Sequence, residues 1–244
     1  MIEAHALHRA FGEVVAVDDV SFVAPDRAIT GLLGPNGAGK TTTLRMLYTL
    51  IAPDRGEVRV DGQNATDDVR ATRRRLGVLP DARGLYPRLT AREHVRYFGE
   101  LHGLSGLDLT RRVDELLEVL DMKEIADRRS AGFSQGERMK VAIARALVHG
   151  PQNILLDEPT NGLDVMATRA MREVIRRLRD QGRCVVFSSH VMQEVSALCD
   201  RIVVIAKGRV VAEGTPDELR QATGMESLED AFVKVIGSDQ GLVS

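Results

Sequence analysis

Residues 34–41 read Gly-Pro-Asn-Gly-Ala-Gly-Lys-Thr, and their types point directly to chemistry. Glycines let a backbone turn so that successive N–H groups point at one anion. An apolar stretch, Ile29–Leu33, precedes this segment, and a helix-compatible stretch, residues 41–50, follows it. Strand, loop and helix in this order are the context of a phosphate-binding loop, so we predict a nucleoside triphosphate site. The alternative is a glycine-rich turn that fits the pattern by accident, and the flanking elements argue against it.

Two side chains of this loop are predicted to contact the triphosphate and its metal ion. Lys40 should reach the β- and γ-phosphates and take up charge during the reaction, and the Thr41 hydroxyl should bind Mg²⁺. The positive end of the following helix adds to the attraction for phosphate. The predicted nucleotide contacts of the loop are Gly34, Pro35, Asn36, Gly37, Ala38, Gly39, Lys40, Thr41 and Thr42.

A pair of carboxylates follows a second apolar segment, because Ile154-Leu-Leu leads directly into Asp157 and Glu158. A strand that ends in a carboxylate downstream of a phosphate loop is where Asp157 would hold the Mg²⁺ shell. Glu158 then lies at the carboxyl end of the strand, where ligands bind in open α/β sheets. There it could accept a proton from the attacking water or orient it. An acidic turn after a buried strand is the plainer interpretation.

The segment Phe133-Ser-Gln-Gly-Glu opens a predicted helix. Ser134 and Glu137 have the spacing of a capping box, which by itself explains both residues. The functional interpretation uses the same geometry, because an uncrowded helix N-terminus also attracts anions. The place of the segment, shortly ahead of Asp157, favours the functional interpretation.

Composition limits the class of protein. With 244 residues, of which 43% are hydrophobic, the chain can form one large α/β domain with a full core. Its formal net charge of −2 argues against a nucleic-acid binder, and the arginine-rich run at 70–75 is interpreted as a solvated face. Cys184 and Cys199 are predicted to be buried thiols of a cytosolic protein. No run approaches the roughly 20 apolar residues of a membrane span, so we expect a soluble chain.

The phosphate loop and the apolar pattern together predict an α/β fold, namely a P-loop NTPase core with a mixed, largely parallel sheet. An N-terminal antiparallel β subdomain is expected in the first 30 residues, and a helical subdomain at about 86–150. Unbroken apolar runs at 154–156 and 185–187 are typical of strands buried on both faces. Together with the family resemblance given in the next paragraph, this pattern places an ATPase domain at 1–220, with the helical subdomain inserted in it, and a short helical tail at 221–244.

The order of these motifs resembles the nucleotide-binding subunit of an ABC transporter over nearly the whole chain. In that family a phosphate loop, a signature helix, an Asp-Glu strand, a further loop and a switch histidine follow one another. The matching segments are Gly34 to Thr41, Ser134 to Glu137, Asp157-Glu158, Asn161-Gly-Leu-Asp164, and His190 in Phe187-Ser-Ser-His. The combination is far more specific than any one of its members.

This resemblance implies an ATPase that uses ATP and Mg²⁺ and has Lys40, Glu158 and His190 as its catalytic residues. Two domains, as a homodimer or with a paired ABC ATPase subunit, would face each other head to tail and drive an integral membrane permease. No nucleic-acid partner is implied. The chain would be cytoplasmic and peripheral on the inner face of the cell membrane.

The resemblance also implies further nucleotide contacts. Phe11 would stack on adenine, although a plain core phenylalanine is the alternative, and Asp164 would contribute to the ATP site. His190 would contact the γ-phosphate and hold the water and Glu158 in place. The signature residues of one subunit would cover the γ-phosphate held by the other: Ser134, Gln135, Gly136 and Glu137.

Two positions depart from the family pattern. The usual signature, Leu-Ser-Gly-Gly-Gln, is replaced by Phe-Ser-Gln-Gly-Glu, so Glu137 would repel phosphate unless its carboxylate turns back onto the Ser134 N–H. At the place of the usual Q-loop glutamine the chain has Asp81, which is also an oxygen ligand for Mg²⁺ but is shorter and charged. We expect ATP hydrolysis to survive with an altered metal dependence.

The signature, residues 85–93 and the tail look most like those of bacterial exporters of the sodium-export and drug-export types.

Three alternative functions belong to other classes of protein. A non-transport ABC switch acting on ribosomes or DNA would need a longer or more basic chain. A weakly hydrolysing ATP sensor is suggested by Asp81 and Glu137. A small-molecule phosphotransferase would leave the signature helix and His190 unexplained. The transported substrate is not encoded in this chain.

Overall fold

A computed structural model gives the structure of the chain and describes residues 1–81 and 84–240. The strands of this part are β1 (Ile2–Phe11), β2 (Val14–Ala24), β3 (Ile29–Leu33), β4 (Arg55–Val60), β5 (Gln63–Asn64), β6 (Leu76–Leu79), β7 (Asn153–Asp157), β8 (Cys184–Ser189), β9 (Arg201–Ala206) and β10 (Arg209–Gly214). The helices are α1 (Lys40–Leu47), α2 (Val69–Arg75), α3 (Ala91–Leu101), α4 (Gly106–Val119), α5 (Gln135–Leu147), α6 (Val165–Asp180), α7 (Met192–Leu198), α8 (Pro216–Thr223) and α9 (Leu228–Gln240).

The strands form two sheets. The first has the order β2-β1-β4-β5, and all of its pairs are antiparallel. The second has the order β10-β9-β3-β8-β7-β6. Neighbouring strands from β9 to β6 in this order pair in parallel, and β10 pairs with β9 in the antiparallel direction. This mixed, largely parallel sheet, together with the antiparallel sheet at the N-terminus, confirms the predicted fold class.

Every residue of β3, β7 and β8 is buried, as expected for parallel strands that have both faces covered. Side chains alternate between two apolar clusters. Leu155 of β7 joins the cluster that contains α1 and the antiparallel sheet, whereas Ile154 and Leu156 join the cluster built from the helices on the other face. The three strands are therefore fixed on both sides.

Register brings the carboxyl ends of these strands to one edge of the sheet. Leu33 of β3 pairs with Ser189 of β8, and Ser188 pairs with Asp157 of β7. On the far side of β7, Leu79 of β6 pairs with Leu156, so the residues that follow β6 reach the same edge. Four chain segments therefore meet where ligands bind in open α/β sheets.

Within the predicted helical subdomain, residues 90–127 form two helices and a 3₁₀ turn. A capping box formed by Thr90 and Glu93 starts α3. The pattern then breaks between α3 and α4, because Gly103 takes a φ of 87°, which no continuing helix allows. Short 3₁₀ turns at Lys123–Ile125 and Ser130–Gly132 then lead to α5.

The C-terminal helices pack against the sheet. Leu228 and Ile236 of α9 are buried in the same cluster as Ile202 and Val204 of β9. The predicted boundary between residues 220 and 221 falls inside α8, and residues 241–244 of the predicted tail lie outside the described residues. The division into a domain and a tail stays a prediction.

Both cysteines are buried and free, as the sequence predicted. Burial raises the pKa of Cys184 to about 12 and holds the pKa of Cys199 well above its ordinary value, so both thiols stay protonated. In the described part of the chain, no helix combines the length and the apolar character that a membrane crossing requires.

Candidate functional site

The phosphate loop links β3 to α1 and is shaped by its glycines. Gly37 and Gly39 have φ values of 79° and 105°, in the left-handed region that glycine tolerates best. A Cβ on Gly34 would come within 2.1 Å of the Ile205 carbonyl oxygen, so this position accepts only glycine. Gly39 is also the N-cap of α1 and gives its first turn no side-chain cap. The N–H groups of this turn can therefore bind an anion.

Lys40 lies at the start of α1 and points back into the loop. Its side-chain nitrogen donates to the carbonyl oxygens of Gly34 (2.8 Å) and Pro35 (3.1 Å), and it lies 3.8 Å from Oε1 of Glu158. Lys40 is 5% exposed, and burial lowers the pKa of its ammonium group. A phosphate would stabilise this buried ammonium, because the Glu158 carboxylate lies too far away to form a hydrogen bond with it.

Asp157 ends β7 directly beneath the loop. Its Oδ1 accepts from the Ser188 hydroxyl (2.6 Å) and from the Thr41 hydroxyl (3.2 Å). Its Oδ2 is buried without a hydrogen-bond partner among the described residues. Burial raises the pKa of this carboxyl, and the negative charge of Asp81 raises it further.

These contacts fit a divalent cation. The buried oxygen of Asp157 and the hydroxyl of Thr41 are hard oxygen ligands that lie together. A cation would give Oδ2 of Asp157 the partner that it lacks among the described residues. Asp81 lines the same cleft and is exposed, so it can add a third oxygen. No cluster of three or more His, Cys, Asp or Glu within the described ranges forms a cation site by itself. A metal here would therefore need the phosphates as ligands.

Glu158 lies one residue beyond the strand and has a strained backbone. Its φ is 48°, in the left-handed region, and its N–H donates to the Ser188 hydroxyl at 2.9 Å. A hydrogen bond of 2.9 Å joins its Oε2 to Nδ1 of His190, which follows β8. Backbone strain at a residue that is held by two side chains at the end of the neighbouring strand β8 is typical of a preorganised site.

Of these residues, Lys40, Thr41, Glu158 and His190 line one cleft of about 460 Å³. The predicted residues among its lining are Asn36, Gly37, Ala38, Gly39, Lys40, Thr41, Thr42, Asp81, Glu158 and His190. Gly34 and Pro35 lie behind them and contact Lys40. The cleft can hold a triphosphate whose terminal phosphate lies near Lys40 and Glu158.

Phe11 and Asp164 do not line this cleft. Phe11, at the end of β1, is 47% exposed and has the Arg9 guanidinium 5.0 Å from its ring centre, so it is not a core phenylalanine. Stacking on a base stays a prediction for this ring. Asp164 is the N-cap of α6 and accepts from the Ala167 N–H at 2.8 Å, a contact that explains its residue type within the chain.

The signature residues also lie outside the cleft. Ser134 and Gln135 are exposed, and Gly136 lies against α6 with Ala167 as its neighbour. Glu137 turns back, because its Oε2 accepts from the Ser134 N–H at 2.8 Å while its Oε1 pairs with Arg128 at 3.0 Å. These contacts lower the pKa of Glu137 against the effect of burial. Arg128 therefore neutralises the Glu137 carboxylate, and Ser134 stays exposed to solvent.

Three residues of the site were missed in the sequence. Ser188 contacts both Asp157 and Glu158, and its signal was its place in Phe187-Ser-Ser-His, just before the switch histidine. Asn161 lines the cleft, and its signal in the sequence was its place in the matching loop at residues 161–164. Ala16 of β2 also lines the cleft and carries no signal in the sequence, because only the packing of two sheets brings it there.

The fold and the site define the class of protein as a P-loop nucleoside triphosphatase. An uncapped helix N-terminus after a glycine loop, a buried aspartate beside Thr41 and a strained Glu158 share the edge of one parallel sheet.

Comparison with known proteins gives the family. The profile of the family described as ABC transporter matches residues 17–161. The ABC transporter ATP-binding protein NatA of Bacillus subtilis is 42% identical over 221 residues, which cover 90% of each chain. The Nod factor export ATP-binding protein I of Paraburkholderia xenovorans is 42% identical over 89% of this chain and 72% of its own length.

Solved structures agree with these matches. One, described as the ATP-binding subunit of an ABC transporter, has a TM-score of 0.88 at 31% identity and covers 96% of this chain and 99% of its own. Another is the dimeric post-hydrolysis state of the ATP-binding cassette MJ0796 with ADP and Pi. It has a TM-score of 0.80 at 27% identity and covers 88% of this chain and 98% of its own. The chain belongs to the ABC transporter ATP-binding family and is an ATP-binding ATPase.

Proposed function

We propose that this chain is the ATP-hydrolysing subunit of an exporter, which dimerises around two Mg·ATP molecules and drives a separate membrane permease. The observation that carries the proposal is the meeting of Lys40, Glu158 and His190, from three separate elements, around one cleft. The names of the relatives NatA and Nod factor export protein I support the exporter assignment.

The reaction would be an in-line attack of water on the γ-phosphate. Glu158 would polarise this water, because its carboxylate is fixed by His190 and by the strained turn after β7. Lys40 would release the two loop carbonyls that it contacts and bind phosphate oxygens instead. Thr41, Asp157 and Asp81 would hold Mg²⁺, which when bound neutralises charge on the phosphate oxygens.

The signature residues would act on the nucleotide of a second subunit. Ser134 is exposed at the start of α5 and does not line the cleft of its own chain. A related cassette has been solved as a dimer. We therefore propose a head-to-tail dimer, in which closure completes each site and hydrolysis releases it.

We further propose that the permease docks on residues 86–127, at the inner face of the cell membrane. A groove of about 300 Å³ runs beside this segment, and Phe98, His102 and Arg145 contribute to its lining. Tyr97 and Leu101 of α3 are 42% and 63% exposed, which gives the segment apolar surface for a partner. We keep the division into a domain at 1–220, a helical subdomain at 86–150 and a tail as part of this proposal.

The test of the proposed function is hydrolysis by the purified chain. ATP turnover that needs Mg²⁺ and disappears in a Lys40→Ala chain would support the proposal. A folded chain that binds Mg·ATP without any turnover would contradict the hydrolytic role. The chain should also co-purify with a membrane protein encoded beside it. Loss of this co-purification when residues of the groove are changed would support the proposed permease docking.

Replacing Ser188 by alanine should lower the ATPase rate roughly tenfold, because the hydroxyl fixes both Asp157 and the Glu158 N–H and each such bond is worth about 1–3 kcal/mol. Turnover against Mg²⁺ concentration measures the effect. Ser130→Ala is the matched control, since Ser130 is a buried hydroxyl that donates to the Tyr86 carbonyl far from the cleft. Equal losses in the two variants would refute a specific role for Ser188.

Replacing Asp81 by alanine should weaken the binding of Mg²⁺ during turnover, because the exposed carboxylate adds negative charge beside Asp157. We expect a several-fold higher Mg²⁺ concentration at half-maximal rate, on the order of 1 kcal/mol for one exposed charge. Asp67→Ala, which removes an exposed carboxylate outside the cleft lining, is the control. An unchanged Mg²⁺ requirement and rate would remove Asp81 from the site.

A further inference from the structure

One side chain links the signature helix to the loop that follows Glu158 in the same chain. Gln135, the first residue of α5, donates from its side-chain Nε2 to the main-chain carbonyl of Asn161 at 3.2 Å. The contact crosses between two motifs that are 26 positions apart. It uses one of the residues at which this signature departs from the family pattern, since the glycine usual at that position has no side chain that could donate.

The packing of Gly162 supports this contact independently. A Cβ at position 162 would lie 2.3 Å from Nε2 of Gln135 and 2.9 Å from its Cδ, so the flat amide rests directly on the glycine. The φ of 73° at Gly162 turns the backbone so that the Asn161 carbonyl meets the amide. The loop is therefore shaped to receive the Gln135 side chain.

The same loop is tied to the reacting carboxylate. The Asn161 N–H donates to the Glu158 carbonyl at 3.2 Å, which closes a turn over residues 158–161. At the other end of this turn, Glu158 is held with a φ of 48° by the Ser188 hydroxyl. A displacement of Asn161 therefore changes the turn from which the Glu158 side chain projects, because a short hydrogen-bonded turn moves as a unit.

We propose that Gln135 is a positioning residue, which fixes the 158–161 turn and thereby the orientation of Glu158 within one subunit. This inference rests on the proposed function. In a head-to-tail dimer, the signature of a subunit covers its partner's nucleotide, while Glu158 serves the nucleotide of its own subunit. Gln135 then couples the signature that covers one nucleotide to the orientation of Glu158 at the other nucleotide.

The test compares Gln135→Met with wild type, because methionine has a similar length and no N–H donor. Gln152→Met is the matched control, since the Gln152 amide also donates to a main-chain carbonyl, that of Gly182, at 2.8 Å and outside the cleft lining. Steady-state ATPase kinetics give kcat and KM. Hydrogen exchange of residues 158–164 in the nucleotide-free chain reports the loop without any partner subunit.

For Gln135→Met we expect kcat to fall roughly tenfold with the KM for ATP within about twofold, and exchange at 158–164 to accelerate about three- to tenfold, as for one lost hydrogen bond. Gln152→Met should change neither quantity. The midpoint of thermal unfolding, measured for both variants, shows that each is folded.

Unchanged exchange at 158–164 in Gln135→Met would overturn the inference, even if kcat falls, because Gln135 would then act only across the dimer. Faster exchange with an unchanged kcat would also overturn it, because the turn would not position Glu158. Loss of activity through a raised KM alone would assign Gln135 to nucleotide binding instead. A wild-type chain without turnover would remove the proposed function, and this inference with it.

Discussion

Glu158→Gln should bind ATP with wild-type affinity and lose turnover by roughly 10²–10⁴-fold, the usual contribution of a general base. The amide keeps the size of the side chain and can still bond to Nδ1 of His190, which lies 2.9 Å from Oε2 in the wild type. It has no negative charge with which to polarise water. In the proposed cycle hydrolysis releases the dimer, so the variant should accumulate as an ATP-bound dimer, measurable by light scattering.

A matched control for this variant is Glu213→Gln. Glu213 accepts from Arg201 at 3.1 Å, so it is also a paired carboxylate, but it lies on β10 outside the cleft lining. Its replacement should leave ATP turnover unchanged. Wild-type turnover in Glu158→Gln would remove Glu158 from the mechanism, and a monomeric variant at saturating ATP would contradict the proposed dimer.

Asp157→Asn should abolish the dependence of ATP binding on Mg²⁺ and reduce turnover by at least the roughly 10–100-fold that loss of a supporting metal contact costs. Oδ1 already accepts from Ser188 and Thr41, so the new amide group would take the place of the unpartnered Oδ2. Its N–H groups would then face the metal position. Titration of ATP binding with and without Mg²⁺ measures the effect.

The same variant should be more stable than wild type when no nucleotide is present. Burial and the Asp81 charge raise the pKa of Asp157 above its ordinary 3.8, so the folded chain at neutral pH carries the cost of an ionised buried carboxylate. That cost is lost as the pH falls from the raised pKa to 3.8. The advantage of Asp157→Asn in thermal unfolding should therefore be largest near neutral pH and shrink on acidification.

Asp200→Asn is the control for both effects, because Asp200 accepts from the Ile29 N–H at 2.8 Å and is far from the phosphate loop. It should leave the Mg²⁺ dependence of ATP binding unchanged. If a nucleotide-free Asp157→Asn chain unfolds at the wild-type temperature at all pH values, burial of the ionised Asp157 carboxylate does not lower the stability of the folded chain.

Much of the local structure followed from short-range patterns. The apolar stretch Ile29–Leu33 matches β3 residue for residue, and the spacing of Ser134 and Glu137 gave the capping box of α5. These features depend on neighbours within a few residues, which the sequence presents directly. The break between α3 and α4 depends on the backbone conformation of Gly103, which has a positive φ.

The sequence by itself determined the phosphate loop, the Asp-Glu pair and the family, because these motifs are contiguous and their order is specific. Only the tertiary structure decided which segments meet. Ala16 reaches the cleft through the packing of the antiparallel sheet, Ser188 joins Asp157 through strand register, and Gln135 reaches Asn161 across two motifs. Contacts between residues distant in the chain depend on how strands and helices pack, and no short-range pattern encodes that arrangement.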